Sequence, residues 1–98
     1  MKAIRQGDVL LLCGAEVPSA AKSLDHLVLA EGEVTGHAHR ITSGVAELLE
    51  CGERKFLRVD EPAELTHEEH GPHTLEPGSY EIRIQREYEP EGWRNVAD

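Results

Sequence analysis

Short apolar runs separated by turn-forming residues extend along the whole chain, and none shows the periodicity of a long helix. This pattern is typical of an all-β protein. Turn residues at 42–44 and at 51–54 predict tight hairpins, whereas residues 18–24, the one segment that could form a helical turn, are expected to be a loop. The pattern predicts about seven strands, at residues 8–12, 26–30, 37–41, 45–50, 55–60, 63–67 and 79–88.

The number of strands also restricts how they can be arranged. The chain has 98 residues, which suits one domain over residues 1–98. A simple open sheet of so many short strands would leave long edges with unpaired backbone groups. We therefore expect closure into a sandwich or a small barrel.

The charge balance narrows the partners that this chain can bind. Ten Lys and Arg against nineteen Asp and Glu give a formal net charge of −9. Such a chain lacks the basic footprint that binds nucleic acid or an anionic membrane surface. The apolar run 9–12 is too short for a signal peptide, so a cytoplasmic location is expected. In that reducing compartment, Cys13 and Cys51 are expected to be small core residues and not a disulfide.

Histidines are the most informative polar residues, because the chain has six and four of them form two pairs. His37 and His39 are two residues apart in a predicted strand. Side chains at i and i+2 of a strand point to the same face, so both imidazoles are expected to converge on one point. Gly36 would let the backbone turn sharply just before them.

The second pair, His67 and His70, is three residues apart. On a regular strand these two side chains would point to opposite faces, but a bulge or a strand end near Gly71 would bring His70 back toward His67. We therefore expect three metal ligands, His37, His39 and His67. The fourth ligand would be His70 or a carboxylate.

An imidazole-rich site suits a divalent transition metal, with zinc first and then iron, nickel or copper, and manganese if carboxylates join the imidazoles. Four protein ligands in a closed tetrahedron would mean a structural ion, whereas an open position would mean catalysis or ligand binding. Glu68 and Glu69 are the candidate acid/base residues, or else partners of the ligand imidazoles. His73 is expected to be in a loop, and His26 is expected to be structural or exposed.

The first histidine pair lies in a motif that resembles a known family. The string GEVTGHAH, residues 32–39, resembles the first motif of cupins, small β-barrels in which a glycine precedes HxH on an inward-facing strand. A glutamate follows in cupins, and Glu47 is the nearest candidate here. The resemblance implies a cupin-like barrel. The chain departs from cupins at the end, because no histidine follows the Pro77-Gly78 turn.

A second resemblance spans most of the chain. The strings GEVTGHAHR (32–40) and THEEH (66–70) occur with QGDVLL (6–11), LEPGSY (75–80) and QREY (85–88). Together they resemble a small uncharacterised family of bacterial and phage proteins. This resemblance implies that the strings belong to one domain and implies no particular chemistry.

Three functions are compatible with these patterns. The first is binding of one divalent metal ion inside the barrel, in a structural or ligand-binding role. The second is a small metalloenzyme, such as a cupin-like hydrolase or oxygenase, whose ion keeps an open position for a small molecule. The third is a metal-free protein-interaction module that acts through a polar strand face.

Overall fold

Every regular element of the protein is a β-strand, as seen in a computed structural model that describes residues 2–31, 36–84, 88–89 and 92–93. The predicted all-β class is therefore confirmed. No helix that could cross a membrane is found in this part of the chain. The strands are β1 (Ala3–Gln6), β2 (Val9–Cys13), β3 (Lys22–Ser23), β4 (Val28–Glu31), β5 (Ala38–Cys51), β6 (Arg54–Thr66), β7 (His73–Leu75), β8 (Gly78–Ile84), β9 (Tyr88–Glu89) and β10 (Gly92–Trp93).

Eight of these strands form one antiparallel sheet in the order β1-β2-β8-β6-β5-β3. β4 also pairs with β5, and β7 also pairs with β6, while β9 and β10 form a separate two-stranded sheet. Among the described strands, β1 and β3 stay at the edges of the sheet. Of the two expected arrangements, a sandwich or a small barrel, the described strands therefore do not form the closed barrel.

The long hairpin of β5 and β6 explains how an open sheet can still enclose a core. One end of β5 pairs with β4 and the other with β3, and β6 divides in the same way between β7 and β8. The pairing register shifts three times between Ile41 and Ala46. Such bulges bend a strand and increase its twist, so one sheet can curl over its own face.

The bulged region also corrects two expected strand boundaries. Residues 42–44 do not form a hairpin turn but continue through β5, and the predicted strands 55–60 and 63–67 are joined in β6, which ends at Thr66. Gly44 has a φ of +94° and lies against the backbone of Pro62 and Ala63, so this glycine permits a close approach of two strands. The hairpin predicted at 51–54 is confirmed, since Cys51 pairs with Arg54.

The main cluster of the described core consists of aliphatic side chains and Tyr80, and the ring of Phe56 is buried outside this cluster. The main cluster draws residues from both ends of the long hairpin, as expected for a sheet that curls around one interior. Its members are Val9, Leu11, Leu29, Ile41, Leu48, Leu57, Val59, Ala63, Leu65, Leu75, Tyr80 and Ile82. The two cysteines are half-buried and free.

Among the described strands, four short ones lie where no strand was predicted, and one of them is β10. β1 and β7 fall outside the predicted ranges, and β3 lies in the expected loop 18–24. His73 is therefore part of a strand and not of a loop. Residues 32–35 of the cupin-like motif and residues 85–87 of the last predicted strand lie outside the described residues.

Candidate metal centre

The two histidine pairs meet at one end of the long hairpin. Arg40 pairs with Thr66 across β5 and β6, so the residues just before β5 face those just after β6. The His67 ring lies 4.4 Å from that of His39, 4.9 Å from His70 and 5.6 Å from His37, measured between centroids. The rings of His39 and His70 are 6.3 Å apart. Four imidazoles thus form one cluster, which we call the histidine cluster.

These separations are on the scale of a shared metal ion. With Zn–N bonds of about 2.0–2.1 Å, two imidazoles on one tetrahedral zinc have ring centroids about 5 Å apart. In addition, His37, His67 and Glu68 each offer a ligand atom, and these atoms all lie within 4.8 Å of one another. His37, His67 and Glu68 are therefore close enough together to hold one metal ion.

His39 is the most deeply buried member, with 0% of its surface exposed. Its Nδ1 is 2.9 Å from Oε1 of Gln6, and Nε2 of Gln6 donates to the carbonyl oxygens of Leu65 and Gly71 at 3.1 and 3.0 Å. The two carbonyls fix the orientation of the amide, so its oxygen faces the imidazole. Nδ1 of His39 therefore donates its hydrogen to Gln6, and the lone pair of the neutral ring is at Nε2.

Nε2 of His39 points to a buried carboxylate. Asp8 is only 1% exposed, and its Oδ1 lies 3.4 Å from Nε2 of His39. Asp8 belongs to the turn between β1 and β2, where Gln6 pairs with Val9. This turn thus delivers both the amide that orients His39 and the carboxylate that faces it.

His67 has the opposite arrangement of ring nitrogens. Its Nδ1 accepts a hydrogen bond from the backbone N–H of Glu69 at 3.0 Å, so the neutral ring carries its hydrogen at Nε2. The chain bends through residues 68–70 directly after β6, and this bend carries the His70 ring back toward His67.

Glu68 fastens the bend to the start of β5. Its two carboxylate oxygens accept hydrogen bonds from the backbone N–H of Ala38 at 2.9 Å and from the guanidinium of Arg40 at 2.8 Å. These bonds, the backbone bond first, lower the pKa of Glu68 from 4.5 to about 2. The two hydrogen bonds therefore favour the ionised carboxylate of Glu68 near neutral pH.

Glu69 is the carboxylate on the exposed side of the histidine cluster. Its Oε2 lies 3.5 Å from Nδ1 of His37, a half-buried residue at the start of the first histidine segment. Of the two candidate acid/base residues, Glu69 therefore has the freer carboxylate and the better access to solvent.

The remaining candidates of the sequence lie apart from these contacts. His26 is exposed, and its Nδ1 accepts a hydrogen bond from the backbone of Val28. His73 pairs with Leu65 in β7, and Glu47 forms an ion pair with Arg58.

Sequence reasoning missed the roles of Gln6 and Asp8 in the site. The sequence feature that contains both residues is the polar triplet Gln-Gly-Asp directly before the apolar run of β2. Taken alone, this triplet indicates only an ordinary turn.

These features define a class of protein, a small all-β domain with a cluster of histidines and carboxylates at one end of its sheet. The chain belongs to the family described as Domain of unknown function (DUF8820), whose family model matches residues 5–85. This match agrees with the resemblance to a small uncharacterised family, while the resemblance to cupins stays a prediction. No curated protein and no solved structure matched the chain.

Proposed function

We propose that this protein binds one divalent transition-metal ion in the histidine cluster, with zinc first and iron, nickel, manganese or copper next. The supporting observation is the convergence of His37, His39, His67 and His70, from two segments about thirty residues apart, at ring separations near those of a shared ion. Imidazole nitrogens suit zinc, iron, nickel and copper, and manganese would need the nearby carboxylates as additional ligands.

The surroundings of the cluster support this proposal. Asp8 and Glu69 place carboxylates beside two of the imidazoles, which favours a cation over an anion at this position. The hydrogen bond between His39 and Gln6 is the kind of outer contact that orients a ligating imidazole in metal proteins. The ion would therefore have a structural role or hold a small ligand.

A second candidate function is a metalloenzyme built on the same ion. Glu69 supports this reading, because it is an exposed carboxylate next to His37 and could accept a proton from a metal-bound water. Such an activity requires that one coordination position stays open to solvent or substrate.

Metal titration of the stripped, untagged protein tests the main proposal. We expect Zn²⁺ or Co²⁺ to bind at one ion per chain, and the double variant His37→Ala with His39→Ala to lose this binding. The variant His26→Ala removes an exposed histidine outside the cluster and should bind like the parent protein. Absence of metal after careful reloading, or full binding by the double variant, would contradict the proposal.

The absorption spectrum of the Co²⁺ form separates the two roles. A closed tetrahedral site gives intense visible bands that do not respond to added anions, whereas an open site changes its bands when azide or another small anion enters. We expect the Glu69→Gln variant to retain the ion in either case. Only a metalloenzyme would lose turnover of its substrate in this variant.

A further inference from the structure

We infer that Asp8 is an oxygen ligand of the proposed ion, and that Gln6 is the positioning residue that presents Nε2 of His39 to it. The centre is then a mixed nitrogen and oxygen site that prefers divalent ions such as Zn²⁺ or Fe²⁺ over Cu⁺. This inference rests on the proposed function and specifies its ligand set.

The first step concerns the ring nitrogens of His39. Both hydrogens of the Gln6 amide point to backbone carbonyls, those of Leu65 and Gly71, so the amide can only accept from His39. The imidazole must then carry its hydrogen on Nδ1. This leaves Nε2 as the atom that can donate a lone pair to a metal.

The second step concerns the space between His39 and Asp8. Their facing atoms are 3.4 Å apart, which is longer than the usual range of about 2.7–3.2 Å for an N–H···O hydrogen bond. Two neighbouring ligands at about 2.0–2.2 Å from one zinc ion, with an angle of about 90–120° between them at the ion, are themselves about 3.0–3.6 Å apart. The separation therefore matches two neighbouring ligands of one ion.

The third step is the burial of this pair. Asp8 and His39 are 1% and 0% exposed, so a carboxylate stands here in a region of low dielectric. A divalent cation in contact with the carboxylate would add to the interactions that compensate for the desolvation of its charge. Gln6 is also buried, with 2% of its surface exposed, and it connects His39 to the backbone of β6 through its hydrogen bond to the carbonyl of Leu65.

The selectivity follows from the chemistry of the ligand atoms. Cu⁺ prefers soft thiolate and thioether ligands, whereas carboxylate oxygen suits harder divalent ions and imidazole suits both Zn²⁺ and Fe²⁺. Neither free cysteine takes part in the contacts of the described centre. Removal of the Asp8 charge should therefore weaken the binding of divalent ions and leave the binding of Cu⁺ little changed.

The test compares Asp8→Asn with Asp60→Asn in competition titrations against a chromophoric chelator. Asp60 is an exposed residue of β6 and serves as the matched control. We expect Asp8→Asn to lower the affinity for Zn²⁺ by about 100-fold or more and to shift the visible bands of the Co²⁺ form. The affinity for Cu⁺ should stay nearly the same. Unchanged Zn²⁺ affinity and an unchanged Co²⁺ spectrum would overturn the inference. An equal loss of affinity for Cu⁺ and for Zn²⁺ would overturn the inferred preference for divalent ions.

A measurement on the parent protein covers the case in which Asp8→Asn does not fold. In ¹³C-detected spectra of the Co²⁺ form, the carboxyl carbon of Asp8 should show a large hyperfine shift, and that of Asp60 should show none. No shift at Asp8 in a protein that binds Co²⁺ would overturn the inference alone. A parent protein that binds no Co²⁺ would instead overturn the proposed function.

Gln6→Met tests the positioning role, since methionine keeps the volume but removes the acceptor. We expect Zn²⁺ affinity to fall by about 10-fold to 100-fold and His39 to lose its preference for hydrogen at Nδ1, as read from imidazole ¹⁵N shifts. If His39 keeps that preference in a folded variant, Gln6 does not position it.

Discussion

At the scale of single residues, the two most buried histidines differ in which nitrogen is available. Gln6 holds the hydrogen of His39 at Nδ1, whereas the N–H of Glu69 occupies Nδ1 of His67. The lone pair of neutral His39 is thus at Nε2, which faces Asp8. His67 can bind a metal through Nε2 only if the hydrogen on Nε2 is removed. Nδ1 can accept a hydrogen in its place only if the hydrogen bond from the N–H of Glu69 is broken.

This difference gives a prediction for the metal-free protein. In long-range ¹H–¹⁵N correlation spectra, neutral His39 should show hydrogen at Nδ1 and neutral His67 should show it at Nε2, because each tautomer is fixed by its neighbour. Addition of Zn²⁺ should move the amide signal of Glu69 more than that of Val28, the corresponding partner of His26. The same tautomer in His39 and His67 would contradict the prediction.

Tyr80 provides a second prediction at this scale. Burial is the main cause that raises the pKa of its phenol above the ordinary value of 10.0, and the hydroxyl donates to the carbonyl of Glu76. The folded state favours the neutral phenol, so Tyr80 contributes to the free energy of unfolding. This contribution is complete below pH 10 and decreases as the pH rises toward the higher pKa of Tyr80 in the folded state.

The measurement is a tyrosinate absorbance titration with parallel unfolding experiments. We expect Tyr80→Phe to remove the ionisation at the higher pH and to cost about 1 kcal/mol at neutral pH for the lost hydrogen bond. Its stability should also depend less on pH above 10 than that of the parent protein. An unchanged titration curve in the variant would show that Tyr80 is not the residue with the raised pKa.

At the scale of elements, the sequence predicted where strands lie better than where one strand ends and the next begins. Alternation and apolar runs indicated β2, β4 and β8, because local pattern reports which face a strand buries. The pattern failed at Gly44, since a glycine between apolar runs looks the same in a turn and in a bulge of a continuous strand. β1 was missed because only its last residue, Gln6, is fully buried, and that residue is polar.

The same contrast applies to the candidate site. The spacing within each histidine pair is local, so both pairs could be identified from the sequence. Asp8 lies 31 positions before His39, and its approach depends on the packing of the β1–β2 turn against the end of the long hairpin. No local pattern carries that information, which is why only the structure brings Asp8 and Gln6 into the site.

Gly44 gives the prediction that belongs to the elements. A Cβ atom added there would lie inside contact distance of the Pro62 carbonyl oxygen and 2.5 Å from Cα of Ala63. Gly44→Ala should therefore cost about 3 kcal/mol or more. Gly52 also has a positive φ, of 61°, but has no atom within 4 Å of an added Cβ.

Gly52→Ala is thus the matched control, and it should cost only about 1–2 kcal/mol from backbone strain. Urea unfolding of both variants measures the difference. Equal losses would mean that the strand contact at Gly44 contributes nothing beyond its backbone conformation.

At the scale of the whole molecule, the candidate centre lies where three distant parts of the chain meet. The β1–β2 turn supplies Asp8, the start of β5 supplies His39, and the segment after β6 supplies His67. An ion held by all three would connect segments that are otherwise joined by strand pairing and by the hydrogen bonds of Gln6 and Glu68. Metal binding should therefore be linked to the stability of the entire fold.

The size of this linkage can be calculated. Zn²⁺ at 100 times its dissociation constant stabilises a native state that alone binds it by about 2.7 kcal/mol. For a domain of this length, 1 kcal/mol shifts the melting temperature by about 4–8 °C, so the expected rise is roughly 10–20 °C. His39→Ala should abolish this rise, and His26→Ala should keep it. If His39→Ala gains as much from Zn²⁺ as the parent protein does, the ion binds elsewhere on the acidic surface and does not connect the three segments.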